Sequence, residues 1–138
     1  MICGVGLDLV EIERVRRAWE RHGERFVRRI LSDAERASLH GDPAAFLAAR
    51  LAAKEAVFKA LGTGWAGGVT WRDVEVLRSP SGAPEVCLGG VARRLCAQRG
   101  GAVVHVSLSH TRRHAAAVAV IERVAGPEER LPMQGKDG

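Results

Sequence analysis

The sequence lacks several residue patterns that define common protein classes. None of its 138 residues is a tyrosine, and aromatic residues make up only 4%. Proteins that bind single-stranded nucleic acid stack the bases on aromatic side chains, so this scarcity argues against nucleic-acid binding. The chain also has no run of 18 apolar residues, which argues against a transmembrane helix. We therefore expect neither a nucleic acid nor a membrane as its partner.

Cysteines are also few. Cys3, Cys87 and Cys96 are an odd number without metal-ligand spacing, so they are expected to be small buried side chains in a reducing compartment. Residues 1–15 contain acidic side chains but neither a basic start nor a cleavage site, which argues against a signal peptide. The sequence predicts a cytoplasmic protein.

Basic residues are in excess and are clustered. The chain has 21 lysines and arginines against 16 acidic residues, for a net charge of +5. Seven arginines lie between Arg14 and Arg29, with only Glu20 and Glu24 to balance them. Such a surface suits phosphates or an acidic protein, because it concentrates positive charge on one face.

The hydrophobic pattern predicts one domain over residues 1–123, followed by a tail at 124–138 that is expected to be disordered. The predicted order is β-α-α-α-β-β-α-β-β, with a shorter helical piece around Phe26 and Ile30. This order indicates an α+β fold with a long helix packed on an antiparallel sheet. Strands are expected at 3–9, 74–78, 85–88, 103–110 and 115–122, and helices at 11–22, 33–40, 43–61 and 91–98.

The long helix contains the segment RLAAKEAVFKALGTG, residues 50–64. Asp42 and Pro43 are typical first residues of a helix, and one stripe of apolar side chains is expected to face the core. Glu55 and Lys59 lie at the border of that stripe. They form either an ordinary surface pair one helical turn apart or part of a site.

Gly4 and Gly6 are poor strand residues and suggest a close approach of another backbone to the first predicted strand. A second carboxylate, Asp8, follows Gly6 at the end of that strand. Two carboxylates from separate elements suit Mg²⁺, which fills its other positions with water and phosphate oxygens. Lys59 and the backbone of residues 62–64 lie within reach of the same phosphates. The alternative is that Asp8 simply caps the next helix.

The last predicted strand pair carries Ser107-Leu-Ser109-His110-Thr111. His110 is either a phosphate ligand or proton carrier at a strand end, or a residue that closes a hairpin. His105, in mid-strand, is expected to be structural. A serine hydrolase is not indicated, because the chain has no Gly-x-Ser-x-Gly motif and Ser109 and His110 point to opposite faces. No Cys and His spacing fits zinc.

Taken in order, these motifs carry a family resemblance. Gly6-Leu-Asp8 with Arg14, then the segment AKEAVFKA at 53–60, then SLSH at 107–110 resemble the holo-acyl-carrier-protein synthases, the small bacterial 4′-phosphopantetheinyl transferases. The resemblance runs from about Val5 to Glu122. It implies a 4′-phosphopantetheinyl transferase-like fold and the transfer of phosphopantetheine from coenzyme A to a serine of an apo acyl carrier protein.

The resemblance also implies roles for individual residues. Asp8 and Glu55 would hold Mg²⁺ against the coenzyme A pyrophosphate, Lys59 would contact the phosphates, and Glu55 would take the serine proton. Asp8, Glu55 and Lys59 are thus the expected catalytic residues. The remaining coenzyme A contacts would be Arg50 and Lys54 on the exposed side of the long helix, Gly62, Thr63 and Gly64 after it, and Ser109 and His110 in the last hairpin.

The basic face would then bind the acidic acyl carrier protein, with Arg14 as the position matched to the family motif and Arg21 beside it. Small members of the family are homotrimers with sites at subunit interfaces, and the last hairpin can come from the neighbouring subunit. Two alternatives to catalysis are a basic binding module for acidic proteins or nucleic acid, and a catalytically silent relative. The first does not explain why Asp8, Glu55 and His110 occur together, and the matching metal carboxylates argue against the second.

Overall fold

The structure is a computed structural model and describes residues 1–62 and 68–124. Its elements, in chain order, are β1 (Ile2–Glu11), α1 (Ile12–His22), α2 (Glu24–Ile30), α3 (Asp33–Ala37), α4 (Pro43–Leu61), a 3₁₀ turn (Trp71–Asp73), β2 (Val74–Arg78), β3 (Pro84–Leu88), α5 (Gly90–Gln98), β4 (Val103–His110) and β5 (His114–Glu122). The predicted elements are all present. The short helical piece is a helix of its own, so four α-helices lie between the first two strands in the part of the chain that the structure describes.

Two antiparallel sheets form the β layer. The larger sheet has the order β1-β5-β4, and β2 and β3 form a separate hairpin. The long helix α4 packs across β1 and β5. The predicted α+β fold with a long helix on an antiparallel sheet is therefore confirmed.

Glycines in β1 set how closely the helix approaches the sheet. A Cβ atom on Gly6 would lie 1.8 Å from the carbonyl oxygen of Ala56, and one on Gly4 would lie 2.1 Å from that of Ala60. Any side chain at these positions would push α4 away from β1. The close backbone approach that the sequence predicted is confirmed, and it brings residues of β1 beside the helix.

Helix α4 begins as predicted. The Asp42 side chain accepts a hydrogen bond from the backbone N–H of Ala44 at 3.1 Å, and Pro43 is the first helical residue. The predicted stripe does face the core, with Leu47 and Phe58 buried and Leu51 partly buried. Helix α4 is also covered beyond that stripe, because it lies between two hydrophobic clusters. Alanines make this possible: Ala48, Ala52 and Ala53 have no exposed surface, since a small side chain lets neighbouring elements pack on every side.

The cysteines differ from one another. Cys96 is buried in the core, and burial raises the pKa of its thiol. Cys3 is half-buried, but Cys87 is exposed because it lies on the outward face of β3, so the prediction of three buried cysteines is wrong for Cys87. All three are free thiols. The cytoplasmic location inferred from them stays a prediction.

Within residues 1–62 and 68–124, no helix has the length and apolar composition that a membrane span requires. Residues 125–138 lie outside the described part of the chain, so the disorder expected for the tail stays a prediction.

Candidate functional site

Asp8 lies within β1 rather than at its end, because the strand continues to Glu11. Helix α1 starts at Ile12, and no side chain caps it. The backbone N–H of Ile12 instead donates to the carbonyl oxygen of Arg113 at 2.9 Å. The alternative in which Asp8 caps the helix is therefore wrong, and its carboxylate is available for another role.

The partner of Asp8 is Lys59. The Lys59 ammonium donates to Asp8 Oδ1 at 3.0 Å and to the backbone carbonyl oxygen of Leu7 at 3.0 Å. The Lys59 side chain is 54% exposed, and that of Asp8 is 17% exposed. Lys59 thus reaches across to β1 instead of pairing with Glu55 along the helix. A solvent-accessible ammonium beside a carboxylate can bind an incoming anion.

Glu55 is half-buried, and its Oε1 accepts a hydrogen bond from the indole N–H of Trp71 at 3.1 Å. Glu55 and Asp8 line the same cavity of about 350 Å³, and Arg14 lines it too. Helix α4 and strand β1 therefore bring together the two carboxylates that the sequence singled out.

The donor set of this cavity fits a hard cation. Among the described residues, no group of three or more histidines, cysteines, aspartates and glutamates is arranged to bind a metal by itself. Mg²⁺ needs only one or two carboxylates when water and substrate phosphates supply the other oxygens. Asp8 and Glu55 meet that requirement, whereas a zinc site closed by four protein ligands does not fit.

Lys54 is not on the exposed side of α4, and that prediction is wrong. Its side chain has no exposed surface, and its ammonium donates to Glu35 Oε1 at 2.7 Å and to the carbonyl oxygen of Trp71 at 3.0 Å. Burial lowers the pKa of Lys54, and the charge of Glu35 opposes that shift. Lys54 thus ties α4 to neighbouring elements instead of pointing towards a nucleotide.

Arg50 is also buried, contrary to prediction, and is only 3% exposed. Its guanidinium lies 4.5 Å from the centroid of the Phe46 ring, a cation–π contact. Burial lowers the pKa of Arg50, and its Nε has no hydrogen-bond partner within the described residues. Arg50 and Lys54 were misplaced for the same reason: neighbouring elements cover the side of α4 that was expected to be exposed.

Ser109 and His110 end β4, at the far edge of the three-stranded sheet from β1. Ser109 is in register with Ala116, which pairs with Leu9 on the open face of the sheet. Asp8 pairs with the buried Ala117 and so lies on the face that α4 covers. A single chain therefore does not place Ser109 beside Asp8.

Gly62 ends α4 in the left-handed conformation, with φ +74°, and its N–H donates to the carbonyl oxygen of Phe58 at 3.1 Å. Thr63 and Gly64, which were predicted to line the coenzyme A site with it, lie outside the described residues. His105 donates to or accepts from Glu122 at 2.9 Å, in line with the structural role expected for it.

The basic face is present on α1 and α2. Arg14, Arg17 and Arg21 line an open groove of about 640 Å³ along α1. Arg14 also lines the cavity of Asp8 and Glu55, so the basic face runs directly into the carboxylate site. Arg16 is less available to a binding partner than these arginines, because its guanidinium forms an ion pair with Asp42 at 2.7 Å.

Two contributors to the site were missed at the sequence level. Glu35 forms a capping box with Ser32 and is also buried against Lys54, and no local pattern in the sequence predicts that burial. Trp71, the hydrogen-bond partner of Glu55, follows a glycine-rich segment and carried no signal beyond being one of three tryptophans.

Comparison with known proteins gives one consistent result. Residues 4–121 match the family model of the 4′-phosphopantetheinyl transferase superfamily. A holo-[acyl-carrier-protein] synthase from Nitratidesulfovibrio vulgaris is 48% identical over 123 residues, which are 88% of this chain and 99% of the relative.

Solved structures agree with that result. A holo-[acyl-carrier-protein] synthase from Neisseria meningitidis superposes with a TM-score of 0.81 at 35% identity, covering 88% of this chain and 99% of that one. The enzyme from Helicobacter pylori in complex with coenzyme A gives a TM-score of 0.76 at 29% identity, covering 86% and 99%. The chain belongs to the 4′-phosphopantetheinyl transferase superfamily, among the holo-[acyl-carrier-protein] synthases.

Proposed function

We propose that this protein transfers 4′-phosphopantetheine from coenzyme A to a serine hydroxyl of an apo acyl carrier protein, releasing adenosine 3′,5′-bisphosphate, in a reaction that requires Mg²⁺. The observation that carries the proposal is the cavity that Asp8 and Glu55 share with Arg14, with Lys59 hydrogen-bonded to Asp8. The relatives named above support the substrates, and the coenzyme A complex supports the donor.

The residues divide the work by chemistry. Asp8 and Glu55 would hold Mg²⁺, which when bound neutralises charge on the transferring phosphoryl group. The Lys59 ammonium binds a phosphate of coenzyme A and stabilises the charge that develops on the departing bisphosphate. The Glu55 carboxylate is our candidate for the group that accepts the serine proton. Each role uses a side chain with access to the cavity or to solvent.

The carrier protein would dock on the arginine groove of α1. Arg14 and Arg21 line that groove, and Arg14 is shared with the carboxylate cavity. An acidic carrier protein would therefore be oriented with its serine towards Asp8 and Glu55. Arg21 lines the groove but not the cavity, so replacing it by glutamate should raise KM for the carrier protein and leave KM for coenzyme A unchanged.

The open face of the three-stranded sheet supports an assembly of several copies. Val5, Leu7 and Leu9 are 61%, 66% and 66% exposed in the single chain, and they lie side by side on β1. A row of exposed apolar side chains on a sheet marks an interaction surface. We infer that this face packs against other copies in a homotrimer, and that the Ser109–His110 strand end of one copy completes the carboxylate site of the next.

A mixing experiment tests that arrangement. Glu55→Gln and His110→Ala variants, each inactive or weak alone, should regain part of the activity when they are mixed under conditions that exchange subunits. Mixed sites can then combine an intact Glu55 from one copy with an intact His110 from another. No recovery with proven subunit exchange would mean that each chain builds its own site. Leu7→Glu should reduce the oligomer to monomers in analytical ultracentrifugation.

The main test is intact-mass spectrometry of an apo acyl carrier protein incubated with this protein, coenzyme A and Mg²⁺. The proposal predicts a mass increase of one phosphopantetheine that is absent with EDTA. If several carrier proteins stay unmodified while the protein binds DNA with a steep salt dependence, the basic face belongs to a non-catalytic binding module instead.

A further inference from the structure

Trp71 contacts both residues of the adjacent pair Lys54–Glu55. Its backbone carbonyl oxygen accepts from the buried Lys54 ammonium at 3.0 Å, and its indole N–H donates to Glu55 Oε1 at 3.1 Å. The side chains of Lys54 and Glu55 leave α4 in different directions, one into the core and one towards the cavity. Trp71 thus forms hydrogen bonds with both Lys54 and Glu55.

Trp71 itself is fixed from several sides. Lys54, which holds its carbonyl group, is anchored in turn by Glu35 at 2.7 Å. The backbone N–H of Asp73 donates to the carbonyl oxygen of Thr70 at 3.0 Å, which closes the 3₁₀ turn. The guanidinium of Arg29 lies 5.5 Å from the centroid of the indole ring. The ring also packs against both hydrophobic clusters. The indole N–H is therefore a donor with a defined position.

We propose that Trp71 is a positioning residue for the cation site: its indole N–H fixes the Glu55 carboxylate in the orientation that binds a divalent cation. This inference rests on the proposed function in taking Glu55 as a cation ligand. A carboxylate with one oxygen engaged by a fixed donor keeps a single orientation and presents its other oxygen for binding. Groups that hold a metal ligand in this way change metal affinity or activity 10–100-fold when they are lost, on the order seen in other metalloproteins.

The buried ion pair of Lys54 and Glu35 contributes to the position of Glu55 through its contact with Trp71. It stabilises the carbonyl group of Trp71, and through the rigid indole it acts on the neighbouring Glu55. The chain of contacts runs from Glu35 to Lys54, to Trp71 and then to Glu55, and each link is a hydrogen bond of 2.7–3.1 Å. The buried Lys54 ammonium, which contacts no ligand, thereby helps to orient the Glu55 carboxylate, which would bind the cation.

The variant that tests the proposal is Trp71→Phe, which keeps an aromatic ring against Arg29 and the core but removes the N–H donor. Trp19→Phe is the matched control, because it removes an α1 indole that does not line the cavity of Glu55. Mn²⁺ alone is the probe, and its free concentration is measured by electron paramagnetic resonance. We expect Trp71→Phe to bind Mn²⁺ about 10–100-fold more weakly than the wild type and Trp19→Phe to bind it equally well.

A second measurement does not depend on that variant. In ¹H–¹⁵N spectra of the wild type, the Trp71 indole resonance should move on replacement Glu55→Ala and on addition of Mg²⁺, while the Trp19 resonance stays in place. Wild-type Mn²⁺ affinity in Trp71→Phe, no Mn²⁺ binding by the wild type, or a Trp71 resonance that ignores Glu55→Ala would each overturn the proposal. If the protein modifies no carrier protein but these shifts and affinities are as expected, the proposed reaction fails and the positioning role stands.

Discussion

Two lysines of α4 each bind a carboxylate from another element, and the two pairs share the same chemistry but differ in burial. Lys54 meets Glu35 at 2.7 Å with both side chains fully buried, whereas Lys59 meets Asp8 at 3.0 Å with its own side chain 54% exposed. The two lysines are five residues apart on α4. One pair is sealed between elements, and the other opens to solvent beside the carboxylate cavity.

The difference shows that burial decides whether a lysine–carboxylate pair stabilises the fold or is available to a ligand. A buried pair cannot exchange its partner for a ligand, because separating the charges in a region without water is very costly. An exposed pair adds little to stability, since water and salt weaken it, and either partner is free to meet an incoming phosphate or cation. The Lys54 pair therefore holds the fold, and the Lys59 pair belongs to the site.

The largest expected effect is on the buried pair. Lys54→Met leaves the Glu35 carboxylate buried without its counter-charge, which should lower the free energy of unfolding by about 3–5 kcal/mol. Urea denaturation measures the change. The double variant Glu35→Leu/Lys54→Met removes both charges and should recover much of the loss. If the single variant were as stable as the wild type, the pair would not be the structural element described above.

Glu55 follows Lys54 in sequence, but its side chain lines the cavity instead of the core. The variant Glu55→Gln therefore tests the difference between the two sides of α4. The amide keeps the shape of the side chain and can still accept from Trp71, so the urea midpoint should change little. Because a cation ligand is lost, the rate of carrier modification should fall by more than about 100-fold. Glu85→Gln, on the exposed face of β3, is the control and should keep both stability and rate.

The smallest expected effect concerns an exposed pair with a second role, Asp42 and Arg16. The hydrogen bond from Arg16 holds the pKa of Asp42 below its usual value. Asp42→Ala also loses the cap of α4 and should cost about 1 kcal/mol, whereas Asp42→Asn keeps a capping side chain and should cost less.

The pH dependence of that pair has a definite sign. A lowered carboxyl pKa contributes stability above the unfolded-state pKa, and this contribution is lost as the pH falls through the folded-state value. The advantage of the wild type over Asp42→Asn should therefore be present at neutral pH and fade below about pH 4. Urea midpoints at several pH values check this, and a constant difference would mean that the charge of Asp42 does not matter.

The sequence predicted what depends on local pattern. Asp42 and Pro43 set the start of α4, the alternation at 103–110 gave β4 its two faces, and Gly6 indicated the close approach to the helix. Motif order brought Asp8, Glu55 and Lys59 together as candidates, and the structure places Asp8 and Glu55 on one cavity with Lys59 bonded to Asp8.

What the sequence did not predict depends on contacts distant in the chain. Lys54 is a charged residue on a helix, and its buried partner Glu35 lies 19 residues earlier in the chain. Trp71 reaches Glu55 from 16 residues away. Ser109 and Asp8 lie on opposite faces of the sheet because of the register in which β1 and β4 pair with β5, and no local pattern predicts that register.

The most direct test of the comparison is the rate of holo-carrier formation by Lys59→Met, measured by intact-mass spectrometry at saturating coenzyme A and Mg²⁺, with a urea unfolding curve from the same preparation. We predict a rate about 100-fold lower, because a charge that stabilises the departing bisphosphate is lost. We also predict a stability change below about 1 kcal/mol, because the Lys59 side chain is largely exposed. A variant that transfers phosphopantetheine at the wild-type rate, or that unfolds as readily as Lys54→Met, would contradict the division between the two pairs.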